Sequence, residues 1–253
     1  MIKVKSYILS DMTWPEIEKG LETINLAIIP IGAQEQHGHH LAEGCDSYRA
    51  EKFSELLAER NYPNVALAPT IDYGISPHHL DFPGTISLQP ETLIALLNDI
   101  VTSLSKHGIK KFLFINGHGG NTSTLGVASE KIARDLGVEI AVSKYVEAAD
   151  NVIKENIHSE HFGHACEREI SESLYLAPKI VRKDKLHAAE YNDSFALKTR
   201  KRKYVKLVYQ FNEITKHGNL GDGREGSYEL GEMIINEALD NLTEFIEDFI
   251  KQK

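Results

Sequence analysis

The side chains best suited to chemistry lie in residues 31–40, a segment that follows an apolar run of strand length. Residues two apart in an extended backbone project to the same side, so Glu35 and His37 can face one point while Gln36 faces away. Asp46 follows a glycine-bearing turn just before a predicted helix. Its carboxylate can either cap that helix or bridge metal ions, and the sequence leaves both interpretations open.

A second polar segment, residues 116–121, reads Asn-Gly-His-Gly-Gly-Asn and also follows an apolar run of strand length. Parallel sheets place their sites at the carboxyl ends of the strands, so we expect His118 to lie near Glu35 and His37. The glycines allow a sharp turn and the close approach of a ligand. Together with Asp46, these nitrogen and oxygen donors predict a site for Zn²⁺, Mn²⁺ or Fe²⁺ rather than for a soft ion bound by thiolates.

A third segment, residues 161–172, offers both acids and bases. If it is helical after His164, Glu169 and Glu172 share one face of the helix and Glu167 lies on another. Glu169 is the carboxylate we expect to face the site. His164 is the candidate general acid or base.

The elements that must position these side chains alternate along the first 145 residues. Strands are predicted at residues 25–31, 65–69, 111–116 and 138–143. Helices are predicted after a capping box at residues 13–16, at 47–60, from Pro90, at 122–136 and at about 228–251. The order β-α-β-α-β predicts a parallel sheet. The long connection at residues 70–89 is typical of a substrate loop.

Composition narrows the class of protein. A chain of 253 residues, 42% of them hydrophobic, can bury a full core and favours one α/β domain over residues 1–253. The net charge of -9 argues against a nucleic-acid-binding protein. Two cysteines are too few for a disulfide framework, and neither a signal peptide nor a membrane span is recognisable. We therefore expect a soluble, cytoplasmic protein without a nucleic-acid or membrane partner.

The chain resembles the creatininase (creatinine amidohydrolase) family over nearly its whole length. Five motifs carry the resemblance, in order: Thr13-Trp-Pro-Glu16, Glu35-Gln-His37-Gly with Asp46, Asp81-Phe-Pro-Gly-Thr85, Asn116-Gly-His118-Gly-Gly-Asn121, and the segment from His164 to Ser171. The resemblance implies a single three-layer α/β/α domain with a mainly parallel sheet. It also implies a small-molecule substrate, hydrolysis of a cyclic amide or a related C–N bond, and assembly into homo-oligomers, often hexamers.

The same resemblance implies two divalent metal ions per chain, with Zn²⁺ expected first and Mn²⁺ or Fe²⁺ as alternatives. Glu35 and His118 would hold one ion, His37 the other, and Asp46 would bridge them. Where creatininase proper has a further glutamate ligand, this chain has Gly120, so the second ion needs another donor. Glu169 is the best candidate. The only tryptophan is Trp14, so the aromatic substrate clamp of the family is missing, which argues against creatinine itself as the substrate.

The implied mechanism uses the ions to lower the pKa of a bridging water, and the resulting hydroxide attacks an amide carbonyl. His164 would deliver a proton to the leaving nitrogen. His79, Gly119, Gly120 and Asn121 are the predicted substrate contacts.

Two other functions remain open. One is deformylation of a formamide on a phosphorylated pyrimidine, with the basic run at residues 198–206 holding the phosphate. The other is a non-catalytic subunit that binds metal only for assembly.

Overall fold

The computed structural model describes residues 6–200, 202, 204–205 and 207–252, and a five-stranded sheet lies at its centre. The strands are β1 (Tyr7–Ile8), β2 (Leu26–Ile31), β3 (Val65–Leu67), β4 (Lys111–Asn116) and β5 (Glu139–Ser143). Their order is β1-β3-β2-β4-β5, and every neighbouring pair is parallel. The two central strands, β2 and β4, are almost entirely buried, which explains why they read as continuous apolar runs.

Helices cover both faces of this sheet. Those described are α1 (Trp14–Gly20), α2 (Cys45–Arg60), α3 (Pro90–Ser105), α4 (Thr122–Leu136), α5 (Asp150–Asn156), α6 (Glu167–Leu176), α7 (Phe195–Arg200) and α8 (Tyr228–Lys251). Successive side chains of β2 alternate between the faces. Leu26 and Ile28 pack in one apolar cluster with α2 and α8, and Ala27 and Ile29 pack in another with α3 and α4. The predicted three-layer α/β/α fold with a parallel sheet is confirmed.

Helix α2 begins two residues earlier than predicted. Gly44 is its N-cap residue, so Asp46 lies inside the first turn and does not cap the helix. The carboxylate instead accepts a hydrogen bond from Arg49, one turn further along the helix. The capping interpretation of Asp46 is therefore wrong, and its second oxygen remains available to the site.

The second half of the chain has more helix than the sequence indicated. Helices α5, α6 and α7 are 6 to 10 residues long, too short to show a clear period. Strand β1 has only two residues and was not predicted for the same reason. Of the basic run at residues 198–206, Lys201, Lys203 and Lys206 lie outside the described residues. Nowhere in the described part of the chain does a helix have the length and apolarity needed to cross a membrane.

The neighbouring strands β2 and β4 bring the two polar segments together. Ile31 pairs with Asn116, so both segments leave the sheet side by side at its carboxyl edge. Gly117 packs directly against α2, because a Cβ atom there would lie 2.5 Å from the backbone oxygen of Asp46. Only glycine allows this approach, which places His118 beside Asp46.

Candidate metal centre

Three buried side chains meet at the carboxyl edge of the sheet. The Nδ1 atom of His118 lies 3.2 Å from Glu35 Oε1 and 3.1 Å from Asp46 Oδ2. The other ring nitrogen, Nε2, lies 3.0 Å from the carbonyl oxygen of Ile75. Since a carbonyl can only accept, Nε2 carries a proton, and the neutral form of the ring has its lone pair on Nδ1, the nitrogen that faces the carboxylates. This is the tautomer a metal ligand requires.

His37 lies on the other side of Asp46. Its Nδ1 atom donates to the backbone oxygen of Glu35 at 3.1 Å, so the neutral form of the ring has its lone pair on Nε2. That Nε2 atom lies 3.3 Å from Asp46 Oδ1. Asp46 therefore directs one oxygen towards each histidine, as a carboxylate that bridges two ions must.

Several polar atoms in this cluster are buried without any hydrogen-bond partner among the described residues. They are both carboxylate oxygens of Glu35, Nε2 of His37 and Oδ2 of Asp46. A buried polar atom left unpaired costs about 1–3 kcal/mol, and more for a charged group, so a cluster of them needs an explanation. Divalent cations bound on the two sides of Asp46 would satisfy all four, and the donor chemistry fits such ions.

The charges of the cluster lead to the same conclusion. Burial by itself would lower the pKa of His118, but the carboxylates of Glu35 and Asp46 raise it to about 10. Burial would raise the pKa of Asp46, yet the imidazoles of His37 and His118 hold it well below its usual value. The two carboxylates thus stay ionised and require a nearby positive charge, which either a proton on His118 or a metal ion can supply.

Glu169 reaches this cluster with one oxygen. Its Oε2 atom lies 3.8 Å from His37 Nε2 and accepts the backbone N–H of Ala165 at 2.6 Å. Its Oε1 atom accepts hydrogen bonds from Arg49 at 3.0 Å and Arg168 at 3.1 Å. Burial opposes ionisation of Glu169, but the two guanidinium groups lower its pKa to about 2. The predicted ligand is therefore present at the site but already occupied by two cations.

Arg49 joins helices α2 and α6 beneath the site. Its guanidinium, 1% exposed, donates to Asp46 at 2.5 Å, to Glu169 and to Glu172 at 2.5 Å. Glu172 also accepts from Arg168 at 2.7 Å and from the Tyr145 hydroxyl at 2.7 Å. None of the sequence motifs predicted this network.

The spacing of these residues along the sequence is the feature from which the network could have been predicted. Arg49 follows Asp46 by three residues, and Glu172 follows Glu169 by three residues, which places each pair on one helical face. Glu167, in contrast, points away from the site and accepts the backbone N–H of Asp222 at 3.1 Å.

Gln36 controls the proton positions of two further histidines. Its amide is fixed because Oε1 accepts from Gly38 N and Nε2 donates to Gly218 O, both at 2.9 Å. The second N–H of the amide then points to His79 Nδ1 at 2.8 Å, so the His79 proton is on Nε2. His164 Nε2 donates to the Gln36 backbone oxygen at 2.8 Å, which leaves its Nδ1 unprotonated.

The free faces of these two rings point to the same place. His79 Nε2 lies 3.7 Å and His164 Nδ1 3.6 Å from Glu35 Oε1, and the rings stack with their centroids 4.5 Å apart. Burial and the His37 imidazole lower the pKa of His164 to about 4. Burial and the His164 ring also hold the pKa of His79 far below its usual value. Both rings are neutral at pH 7, one offering an N–H and the other a lone pair.

A cavity of about 170 Å³ opens onto these groups. Gly119, Lys144 and Arg200 lie on its wall together with Glu35, His79, His118 and His164. A larger and more apolar groove of about 560 Å³ adjoins it, and Gly119, Gly120, His78, Arg200 and Tyr209 line both. Substrate can therefore reach the donors from a small polar chamber that continues into an apolar groove.

Two of the predicted substrate contacts also have structural roles. Asn121 is fully buried and lines neither cavity; its amide accepts from Ile75 N at 2.8 Å and donates to Gly32 O at 3.0 Å. These bonds join the loops that follow β2 and β4, and a substrate contact of Asn121 stays a prediction. Gly120 lines both cavities, but a Cβ atom there would lie 2.1 Å from Ile75 O and 2.3 Å from His118 Nε2. A side chain at this position would displace the His118 ring.

The comparisons with solved structures support the fold. A crystal structure of creatinine amidohydrolase (creatininase) superposes with a TM-score of 0.82, at 22% identity, over 99% of this chain and 100% of that one. A structure described as creatininase Mn has a TM-score of 0.81 at 22% identity, covering 98% and 100%. A Zn-Zn type of a creatininase variant has a TM-score of 0.80 at 23% identity, with the same coverage.

Sequence comparisons identify the family. The mycofactocin precursor peptide peptidase of Mycobacterium ulcerans is 33% identical over 186 residues, 70% of this chain but only 64% of that relative. The creatinine amidohydrolase of Pseudomonas putida is 27% identical over 200 residues, 72% of this chain and 76% of the relative. The family model described as "Creatininase: Creatinine amidohydrolase" matches residues 10–246. The chain therefore belongs to the creatininase family.

Proposed function

We propose that this chain is a metal-dependent hydrolase that cleaves a C–N bond of an amide, with Glu35, His37, Asp46 and His118 holding up to two divalent ions. The observation that carries the proposal is the convergence of buried, unpaired donor atoms of Glu35, His37 and Asp46 on one point beside His118 Nδ1. Related structures described as Mn and Zn-Zn forms support Zn²⁺ or Mn²⁺ as the ion, and the donor set also suits Fe²⁺.

When bound, the divalent ions would lower the pKa of water and polarise the amide carbonyl. The chain supplies the proton transfers. The Nδ1 lone pair of His164 accepts a proton from the attacking water, and the same atom returns it to the leaving nitrogen. The Nε2–H of His79 points into the cavity and can donate a hydrogen bond to the negative charge that develops on the carbonyl oxygen. The two neutral rings thus divide the roles of acceptor and donor.

Lys144 indicates what else the substrate carries. Its side chain is half-buried on the cavity wall, and within the described residues it forms no ion pair. Burial and the Arg168 guanidinium lower its pKa. Burial and the nearby Arg168 disfavour the charged form of Lys144, and an anionic group bound beside it would stabilise that charge. The favoured substrate is therefore a small amide with a carboxylate or phosphate.

A second candidate substrate is an extended amide such as a short peptide. The apolar groove of about 560 Å³ beside the site is larger than a small cyclic amide needs. The Mycobacterium ulcerans relative is described as a peptidase that acts on a precursor peptide. In this case the scissile bond would lie at the metal centre and an apolar side chain would occupy the groove.

The deformylase and the non-catalytic alternatives are tested by the same experiment. Protein stripped by a chelator is reloaded with Zn²⁺, Mn²⁺ or Fe²⁺ and assayed with cyclic amides, formamides with and without phosphate, and short peptides. We expect turnover that depends on added metal, and the reactive substrate class identifies the function. A folded protein that binds none of these ions would contradict the proposal, and metal binding without any turnover would favour the non-catalytic subunit.

Substitution of Lys144 tests the anionic substrate. Lys144→Met should raise KM for a charged amide while leaving a neutral analogue unaffected, because only the charged group contacts the cation. Lys131→Met is a matched control, since Lys131 is exposed and pairs with Asp135 on α4. Equal effects on charged and neutral substrates would exclude a role for Lys144 in binding the anion. Assembly into a homo-oligomer and a cytoplasmic location stay predictions.

A further inference from the structure

We propose that Cys45 is the third protein ligand of the ion on the His37 side, so that this centre is formed by His37, Cys45 and Asp46. The inference rests on the proposed function in one respect, since it requires that the site bind metal. It assigns to that site a thiolate donor that neither the motif nor the family description provides.

The geometry places the sulfur among the donors. The candidate ligand atoms of His37, Cys45 and Asp46 all lie within 4.8 Å of one another, and all three residues are buried. His37 Nε2 and Asp46 Oδ1 are 3.3 Å apart, close to the roughly 3.3 Å between nitrogen and oxygen donors around tetrahedral zinc. Cys45 and Asp46 are consecutive in the first turn of α2, so one rigid element holds both.

The nitrogen and the sulfur of this group are also free to bind, whereas Asp46 Oδ1 accepts from Arg49 at 2.5 Å. His37 Nε2 is fully buried, has no hydrogen-bond partner among the described residues, and faces this group. The Cys45 thiol is buried and free of any disulfide, and it makes a weak hydrogen-bond contact with Ser173 Oγ at 3.6 Å. A small buried thiol beside an unpaired imidazole is a ready metal donor once it loses its proton.

Glu169, the alternative third donor, is less free. Both its oxygens already accept hydrogen bonds, from Arg49, Arg168 and the Ala165 N–H. A carboxylate already neutralised by two guanidinium groups gains less from a metal ion, and to bind one it must weaken those bonds. Gly120, in the His118 loop, has no side chain to contribute. Cys45 thus completes the centre at a lower cost than Glu169.

A sulfur donor changes the ion that this centre prefers. A set of one imidazole, one thiolate and one carboxylate suits Zn²⁺, Co²⁺ or Cd²⁺ better than Mn²⁺, whereas Glu35, His118 and Asp46 suit harder ions. We therefore expect the two ions to differ in chemical preference. Each ion bound at the His37 side releases the thiol proton to solvent.

Cobalt titration tests the assignment with a readout that does not depend on turnover. Metal-free protein titrated with Co²⁺ should develop visible d–d bands together with a near-ultraviolet sulfur-to-cobalt charge-transfer band. Cys45→Ser should lose the charge-transfer band and keep d–d bands from the other centre. Cys166→Ser is the matched control: Cys166 is equally buried but belongs to none of the donor groups found in the described part of the chain, so the band should persist.

X-ray absorption of the zinc-loaded wild-type protein provides a test that needs no variant, should Cys45→Ser fail to fold. We expect one sulfur at about 2.3 Å from one of the two zinc ions. Cobalt or zinc bound with no sulfur signal would overturn the Cys45 assignment and leave the proposed metal centre standing. A charge-transfer band that survives in Cys45→Ser would also overturn it. A folded wild-type protein that binds neither ion would overturn both proposals.

Discussion

The two sides of Asp46 differ in how their charges are balanced. On one side, Glu35 has two carboxylate oxygens without a hydrogen-bond partner in the described chain, and the ring of His118 is its main counter-charge. On the other side, near His37, the carboxylate of Glu169 is already paired with Arg49 and Arg168. The centre at Glu35 therefore has an excess of negative charge, whereas the charge near His37 is largely balanced by Arg49 and Arg168.

This difference predicts an order of metal binding. A divalent ion between Glu35 and Asp46 relieves two buried anions at once, so this centre should fill first and most tightly. An ion at the His37 side gains less electrostatic stabilisation, because Arg49 and Arg168 already balance the Glu169 carboxylate. Its affinity depends more on the chemical type of its ligands. The following four predictions can break or sharpen this comparison, and they run from the largest expected effect to the smallest.

Replacing His118 should have the largest effect. His118→Ala removes a donor from the centre that fills first, so we expect activity to fall by more than the roughly 10–100-fold that changes of residues behind the ligands cost. The fold should remain intact, because His118 lies in a strand-end loop. Steady-state kinetics with metal analysis and circular dichroism make the measurement. A folded variant within a few-fold of the parent would refute the assignment.

Metal binding at the Glu35 side should depend on pH. The pKa of His118 is about 10 in the metal-free protein, so the ring holds a proton at pH 7 that the ion must displace. Raising the pH removes that competitor, and the affinity should rise about tenfold per pH unit per displaced proton until the pH approaches that pKa. Calorimetry in buffers of different ionisation enthalpy measures the protons released. Binding at pH 7 with no proton release would contradict this account.

Glu169→Gln should have a smaller effect than Cys45→Ser on the ion at the His37 side. If Glu169 positions the ligands rather than binding metal, the substitution should lower the affinity of the His37 side for its ion only about tenfold. This is the low end of the range for residues that hydrogen-bond to metal ligands. Affinity at the Glu35 side should barely change. Glu167→Gln is the control, because Glu167 bonds to Asp222 N away from the site. A complete loss of the second ion in Glu169→Gln would make Glu169 a ligand in its own right.

Gln36→Leu should have the smallest effect. The variant removes the amide N–H that fixes the His79 tautomer, so kcat should fall by about tenfold or less while metal content stays the same. Gln34→Leu is a control in the same segment, since Gln34 donates to Gly84 O at 3.4 Å and contacts neither histidine. Loss of metal in Gln36→Leu would show that Gln36 supports the metal centre rather than the proton transfers.

Much of the metal site was predictable because it depends on regular elements. The buried parallel strands β2 and β4 read as apolar runs, so the polar residues after them had to meet at one edge. The predicted bounds of β4 and α4 agree with the structure, and those of β2 and β5 differ by one residue. The assignment of residues 1–253 to one domain stays a prediction.

The remaining features depend on contacts between distant parts of the chain. Arg49 lies in an amphipathic helix, where a lone arginine normally faces solvent, and only the docking of α6 explains its burial. The start of α2 at Cys45 lacks a side-chain cap, so no local pattern marked it. The tautomers of His79 and His164 follow from Gln36, which contacts both across more than 40 residues of sequence. No periodicity in the sequence carries that information.

The buried guanidinium of Arg49 also limits how the centre can be transplanted. A designer who copied only the metal donors onto another α/β scaffold would leave Asp46 and Glu169 without the cation that holds them in place. A buried carboxylate without a partner tends to protonate or to turn outward. Any working graft must therefore carry the first two turns of both α2 and α6, and natural substitutions at position 49 should be accompanied by changes at 169 or 172.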